Sequence, residues 1–161
     1  MAIDWSYGSL QDLTNGGADN LTAITVISGL SNVDSVTVML KRFSASGTGA
    51  PLLQLGDASW VTSGYVWSCN YTGTTTTVTT GFLYSPNAGQ GAGDQCSVVW
   101  ELRRVKNDIW QCFSTGNEAT KNSVRTGVGT VDVGGDLQKL QITSTGGSIT
   151  FDNGDAIARY R

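Results

Sequence analysis

The sequence predicts an all-β fold, an antiparallel β-sandwich (jelly-roll or concanavalin-like) of about ten short strands, and three observations carry that expectation. The stretch Ser97 to Thr115, SVVWELRRVKNDIWQCFST, reads as a hairpin. In it Val98, Trp100 and Leu102 share one face, and Val99, Glu101 and Arg103 share the other. Lys106-Asn107-Asp108 supplies turn chemistry, and Ile109-Trp110-Gln111-Cys112-Phe113 resumes the alternation. The second observation is the source of polarity. Charged residues are 14% of the chain, against about 25% in a typical soluble domain. Gly, Ser, Thr and Asn supply the rest, and the 21 glycines suit a protein of many tight turns. Third, no segment combines a helical period with caps.

Each element follows from the same signals. Residues 1–20 are an irregular N-terminal arm. Its Ile3, Trp5, Tyr7, Leu10 and Leu13 are too apolar for a solvated tail, so the arm is expected to dock on the body or on a neighbouring subunit. Ile3, Trp5 and Tyr7 are its candidate attachment residues. Leu21 to Ser28 is the first strand, and Ser35 to Ser44 is a long alternating one. Ser46 to Pro51 turns the chain into a short strand, Leu52 to Leu55. The segment around Trp60 is a loop, and Tyr65 to Cys69 is a strand. Gly73 to Thr80 is threonine-rich and suits an exposed edge strand or a long loop. Gly81 to Tyr84 is a strand, Ser85 to Asp94 a loop, and the hairpin follows. Gly116 to Gly135 reads as a polar connection with a short strand at Ser123 to Thr126. Leu137 to Thr143 is a strand. Ser148 to Phe151 is another, followed by a turn at Asp152-Asn153-Gly154-Asp155 and a closing strand, Ala156 to Tyr160. With no repeat and no linker, residues 21–161 form a single β-sandwich domain.

Charge and cysteine narrow the partners. A net charge of −3, with basic residues only in short clusters such as Arg103-Arg104, argues against nucleic acid. No apolar run is long enough to span a membrane as a helix, and no signal peptide is expected. Three widely spaced cysteines, Cys69, Cys96 and Cys112, read as reduced and buried, which suits assembly in a cytoplasm. One disulfide plus one free thiol is the alternative.

Several pieces, in order, resemble the jelly-roll or lectin-like module of tailed-bacteriophage virion proteins and prophage tail fibres. They are Ile27-Ser28-Gly29-Leu30, SVTVMLKRFSASGTGAPLLQLGD (Ser35 to Asp57) and Thr62-Ser63-Gly64-Tyr65. The hairpin segment ELRRVKNDIWQC and the ending LQKLQITSTGGSITFDNGDAIARYR complete the set. The resemblance spans about residues 24 to 161, and the ending is its most specific part. It implies a non-enzymatic structural protein of a phage particle, a homotrimer touching other virion proteins of the capsid or tail. A host-surface glycan is a further partner under the alternative of a receptor-recognition module on a tail fibre. It implies residence in the virion after assembly in the host cytoplasm. The chain opens at Met1 with a short arm and carries no stalk, so capsid decoration (cement) or a small tail attachment is expected over a fibre.

The residues offer little catalytic chemistry. The chain has no histidine, which removes His-based catalysis and the commonest metal ligand, and no cofactor or metal is expected. Paired carboxylates for glycoside cleavage would come from Asp94, Glu101, Asp108 and Glu118. Glu101 reads better as one half of a cross-strand pair with Gln or Arg. Asp152-Asn153-Gly154-Asp155 is either a turn closed by side-chain hydrogen bonds or a Ca²⁺ site. A sugar ring has candidate partners in Trp60, Tyr84 and Asn87, where aromatic faces stand beside hydrogen-bonding groups. Core packing or a subunit contact is the alternative for the two aromatics.

Overall fold

The computed structural model describes residues 6–7, 11–12, 24–46, 49–71, 74–84, 95–118, 123–145 and 150–161. They form two antiparallel sheets packed as a sandwich. In chain order the strands are β1 (Ser6–Tyr7), β2 (Gln11–Asp12), β3 (Ile24–Ser28), β4 (Ser35–Ser46), β5 (Pro51–Gly56), β6 (Val66–Tyr71) and β7 (Thr74–Val78). They continue as β8 (Phe82–Leu83), β9 (Cys96–Lys106), β10 (Ile109–Glu118), β11 (Ser123–Asp132), β12 (Lys139–Ser144) and β13 (Thr150–Tyr160). The larger sheet has the order β1-β13-β4-β9-β10-β11-β6-β7, with β2 also on β13, and the smaller is β3-β12-β5-β8.

The β9–β10 hairpin lies mid-sheet, as the alternation predicts. Asn107 in its turn has φ 45°, the left-handed conformation that a tight hairpin needs and Asn tolerates. Trp100, Leu102, Trp110 and Cys112 point inward and are buried, while Glu101, Arg103 and Phe113 point out. The two sheets meet through aromatics. Phe82 of β8 packs edge-on against Tyr65 and Trp67, with ring centroids 4.9 Å and 5.0 Å apart. The Trp67 indole N–H donates to the Leu83 carbonyl at 3.1 Å, and the Leu55 N–H donates to the Tyr65 hydroxyl at 2.9 Å. These bonds tie β6 to the smaller sheet and satisfy polar atoms that burial would otherwise penalise.

The structure departs from the sequence reading in four places. There are thirteen described strands, and five of them run to ten residues or more. The expected polar connection after Gly116 is mostly strand among the described residues: β10 runs on to Glu118, and the short strand expected at Ser123 to Thr126 extends to Asp132 as β11. The glycines that disguise β11 make room for Trp67, since a Cβ on Gly127 would stand 2.7 Å from the indole Cη2 and one on Gly129 2.8 Å from the Trp67 Cα. The supposed turn at Asp152–Asp155 is a pair of bulges inside one strand, β13. Gly154 adopts φ +111°, and a Cβ there would lie 2.6 Å from the Phe43 Cα. Finally, the described residues of the arm are not irregular. Ser6 and Tyr7 pair with Tyr160 and Arg159, and Gln11 and Asp12 pair with Ala156 and Asp155, along the same chain's β13.

All three cysteines are buried and none is in a disulfide. Burial pushes the thiols of Cys112 and Cys69 above the ordinary thiol range, and pushes the Tyr65 phenol above its usual value despite the Leu55 N–H bond. Unfolding therefore exposes groups that lose protons more readily than they do in the folded state. Stability is full below about pH 8 and falls as pH rises through the ordinary thiol and phenol range of about 8.5–10. A urea midpoint at pH 10.5 is expected to be lower than at pH 7. An unchanged midpoint would mean that these protons are not coupled to folding.

Candidate functional site

Among the described residues, the two aromatics the sequence singled out for a sugar do not come together. Tyr84 is only 1% exposed. Phe43 meets its ring edge-on at a centroid distance of 5.4 Å, Arg125 covers a face at 4.9 Å, and its hydroxyl donates to the Asn117 carbonyl at 2.9 Å. Tyr84 is thus a core side chain with no face for a sugar. Trp60 is half-buried, with the Lys139 ammonium 4.8 Å from its ring centroid and donating to the Ala58 carbonyl at 2.7 Å. Trp60 is bridged to Gly56 at one end of β5, and Tyr84 N–H bonds to Pro51 at the other end. A strand rise of about 3.3 Å per residue separates those ends by about 17 Å. Asn87, Ile3 and Trp5 lie outside the described residues, and Tyr7 is described by its backbone in β1.

The described carboxylates do not pair either. Glu101 points outward and faces Thr37 and Phe113, so no Gln or Arg stands directly opposite it. Asp108 is at the hairpin tip, seven residues along, or about 23 Å at strand rise; a glycosidase pair needs about 5–9.5 Å. Glu118 is buried on the inward face, where Arg125 Nη2 donates to its Oε2. Asp94 lies outside the described residues. In the Asp152–Asp155 segment the Gly154 N–H is bonded to Asn153 Oδ1 at 2.8 Å. Among the described residues no three Asp, Glu or Cys side chains cluster as a metal would require.

What the topology does assemble is the outward face of the larger sheet over β10, β11, β6 and β7. Register sets Thr77, Ser68, Val128, Phe113 and Glu101 in one row, and Thr75, Asn70, Thr126, Thr115 and Val99 in the next. Between the rows an open trough of about 520 Å³ is lined by Ser68, Asn70, Thr75, Phe113, Thr126 and Val128. A second hollow of about 390 Å³, bordered by Met39, Lys41, Val99 and Val124, continues across β9 toward β4. Large apolar side chains stand in solvent around both: Val66 is 73% exposed, Val124 69%, Val128 46% and Phe113 44%. On these four strands the sole outward charge among the described residues is Asp132, at the hairpin end. Phe113 was legible in the sequence as an aromatic in the outward phase of β10. Val124 and Thr126 fall in the short strand expected at Ser123 to Thr126, while Val128 lies beyond it among the glycines.

No protein-family model and no curated protein matches this chain. Among solved structures, a crystal structure of a human SPRY domain is similar with a TM-score of 0.30 and 10% identity, over 86% of this chain and 82% of that one. The site is therefore read from its own geometry.

Proposed function

We propose that this chain is a non-enzymatic structural module of a bacteriophage virion, which works by contact as a homotrimer decorating the capsid or attached to the tail. The observation that carries a contact role is the outward face around Phe113, where apolar side chains remain exposed on a sheet that has already filled its core and Glu101 is the one charge paired across from the ring. A patch of valine, phenylalanine and threonine gains free energy when a partner removes it from water, and it has few charges to desolvate. The phage assignment rests on the resemblance of the ordered segments from Ile27 to Arg161. Assembly in the host cytoplasm agrees with three buried cysteines outside any disulfide.

The test is association. The purified chain is expected to sediment as a trimer or a multiple of trimers and to bind virus particles that lack it. Phe113→Glu with Val128→Glu, both at exposed positions, is expected to reduce the mass to one third and to abolish particle binding. A chain that is monomeric at every concentration and ignores particles sinks the proposal.

A second reading, a carbohydrate-binding module of a tail fibre that recognises a host-surface glycan, is favoured by one feature. The trough sets uncharged hydroxyl and amide groups of Ser68, Asn70, Thr75 and Thr126 beside an exposed aromatic ring. Binding on a glycan array that disappears in Phe113→Ala would support it, and a blank array for the native chain would remove it.

A further inference from the structure

The two edges of the larger sheet are built differently. At one edge β13 contains two bulges and is covered by β1 and β2. Bulges and cover are common defences of an edge strand against pairing with another chain. At the other edge β7 pairs with β6 without a register shift, from Trp67↔Val78 to Tyr71↔Thr74. Among the described residues no strand lies on its outer side. Its sequence, Thr-Thr-Thr-Thr-Val, contains no charge and no proline, and the flanking Gly73 and Thr79-Thr80 add none. Among the described residues none of the usual devices blocks this edge.

We infer that β7 is an interface: it pairs antiparallel with β7 of a second copy of this chain and joins the two larger sheets into one. The occupant is a second copy because the strand is self-complementary. Side chains alternate between faces, and a two-fold contact keeps outward face beside outward face, so only residues of equal parity meet. The register that pairs all five residues sets Thr76 opposite Thr76, Thr75 opposite Thr77, and Thr74 opposite Val78. Thr75 and Thr77 are exposed, and across β6 they face Asn70 and Ser68. Threonine pairs across antiparallel strands are favourable, and no like charges meet. The trough beside Thr75 would then run across the join into the second copy. The contact is two-fold, so it stands or falls independently of the trimer and of the phage assignment.

Sedimentation equilibrium of the full chain at concentrations up to about 1 mM tests this. The native chain is expected to form a dimer, or a hexamer where trimers also form. Thr75→Lys/Thr77→Lys sets ammonium against ammonium across the join and is expected to halve that mass. Both substitutions are at exposed positions, and an unchanged thermal midpoint shows that the fold is retained. Thr75→Lys/Thr77→Glu sets Lys opposite Glu in the same register and is expected to associate at least as well as the native chain. Three results overturn the inference: a native chain that stays monomeric or strictly trimeric, a double-lysine variant of undiminished mass, or a Lys/Glu variant that dissociates as the double-lysine variant does. A trimer untouched by lysine removes this contact and leaves self-association standing.

Discussion

Arg125→Met is expected to lower the unfolding free energy by about 3–5 kcal/mol, the usual consequence of removing one partner from a buried ion pair. Glu118 is 0% and Arg125 2% exposed, and Arg125 Nη2 donates to Glu118 Oε2 across the end of the β10–β11 hairpin. The guanidinium also lies over the Tyr84 ring, whose hydroxyl holds the Asn117 carbonyl. Methionine fills much of the volume but leaves the Glu118 carboxylate in a low-dielectric site without its cation. The companion variant, Glu118→Leu/Arg125→Met, removes both charges and is expected to recover most of the loss, since an apolar replacement of a buried pair is often neutral or stabilising. Urea unfolding of the two singles and the double gives the coupling directly. If Arg125→Met loses less than about 1 kcal/mol, or the double is as unstable as the worse single, the pair does not hold this end of the sandwich.

Gly127→Val is expected to lose about 3 kcal/mol, at or beyond the upper end for overpacking a filled core. The added side chain would occupy the space of the Trp67 ring, which also lies within 2.9 Å of a Cβ built on Gly129. Trp67 has little freedom to withdraw, because its indole N–H is bonded to Leu83 of the opposite sheet and its ring packs on Phe82. Gly127→Ala is expected to lose less, because it adds a Cβ without the two further methyl groups of valine. Trp67→Phe in the Gly127→Val background should restore part of the stability by shortening the ring. Equal midpoints for Gly127→Val and the native chain would show that the close approach is easily relieved.

Period-two alternation made the fold class and the centre of the core legible. Trp100, Leu102 and Trp110 are inward because each lies two or more even steps from a neighbour on the same face, and that is a local property. The turn at Asn107-Asp108 was legible for the same reason. Tyr84 was not. Its ring could serve a core or a ligand equally well, and only Phe43, Arg125 and Asn117, all distant in sequence, decide that it is enclosed. Glu118 stands in the sequence as a candidate catalytic carboxylate in a polar connection, and Arg125 as a member of a short strand, with nothing local to mark them as a buried pair. Charges are rarely buried unless paired, and the pairing depends on a hairpin that the glycines concealed.

By itself, then, the sequence determined an all-β chain, the inward tryptophans, the central hairpin and a threonine-rich edge. Tertiary structure alone decided that Gly127 and Gly129 belong to a ten-residue strand, that Asp152–Asp155 is bulge rather than turn, and that the exposed face gathers around Phe113. The reason is physical. Alternation and turn chemistry act over two to four residues and are written in the chain, whereas a glycine in a strand is explained only by the bulky side chain of the neighbouring strand. A working surface is likewise a row across strands: Ser68, Val128 and Phe113 are separated along the chain and become neighbours only when register aligns them.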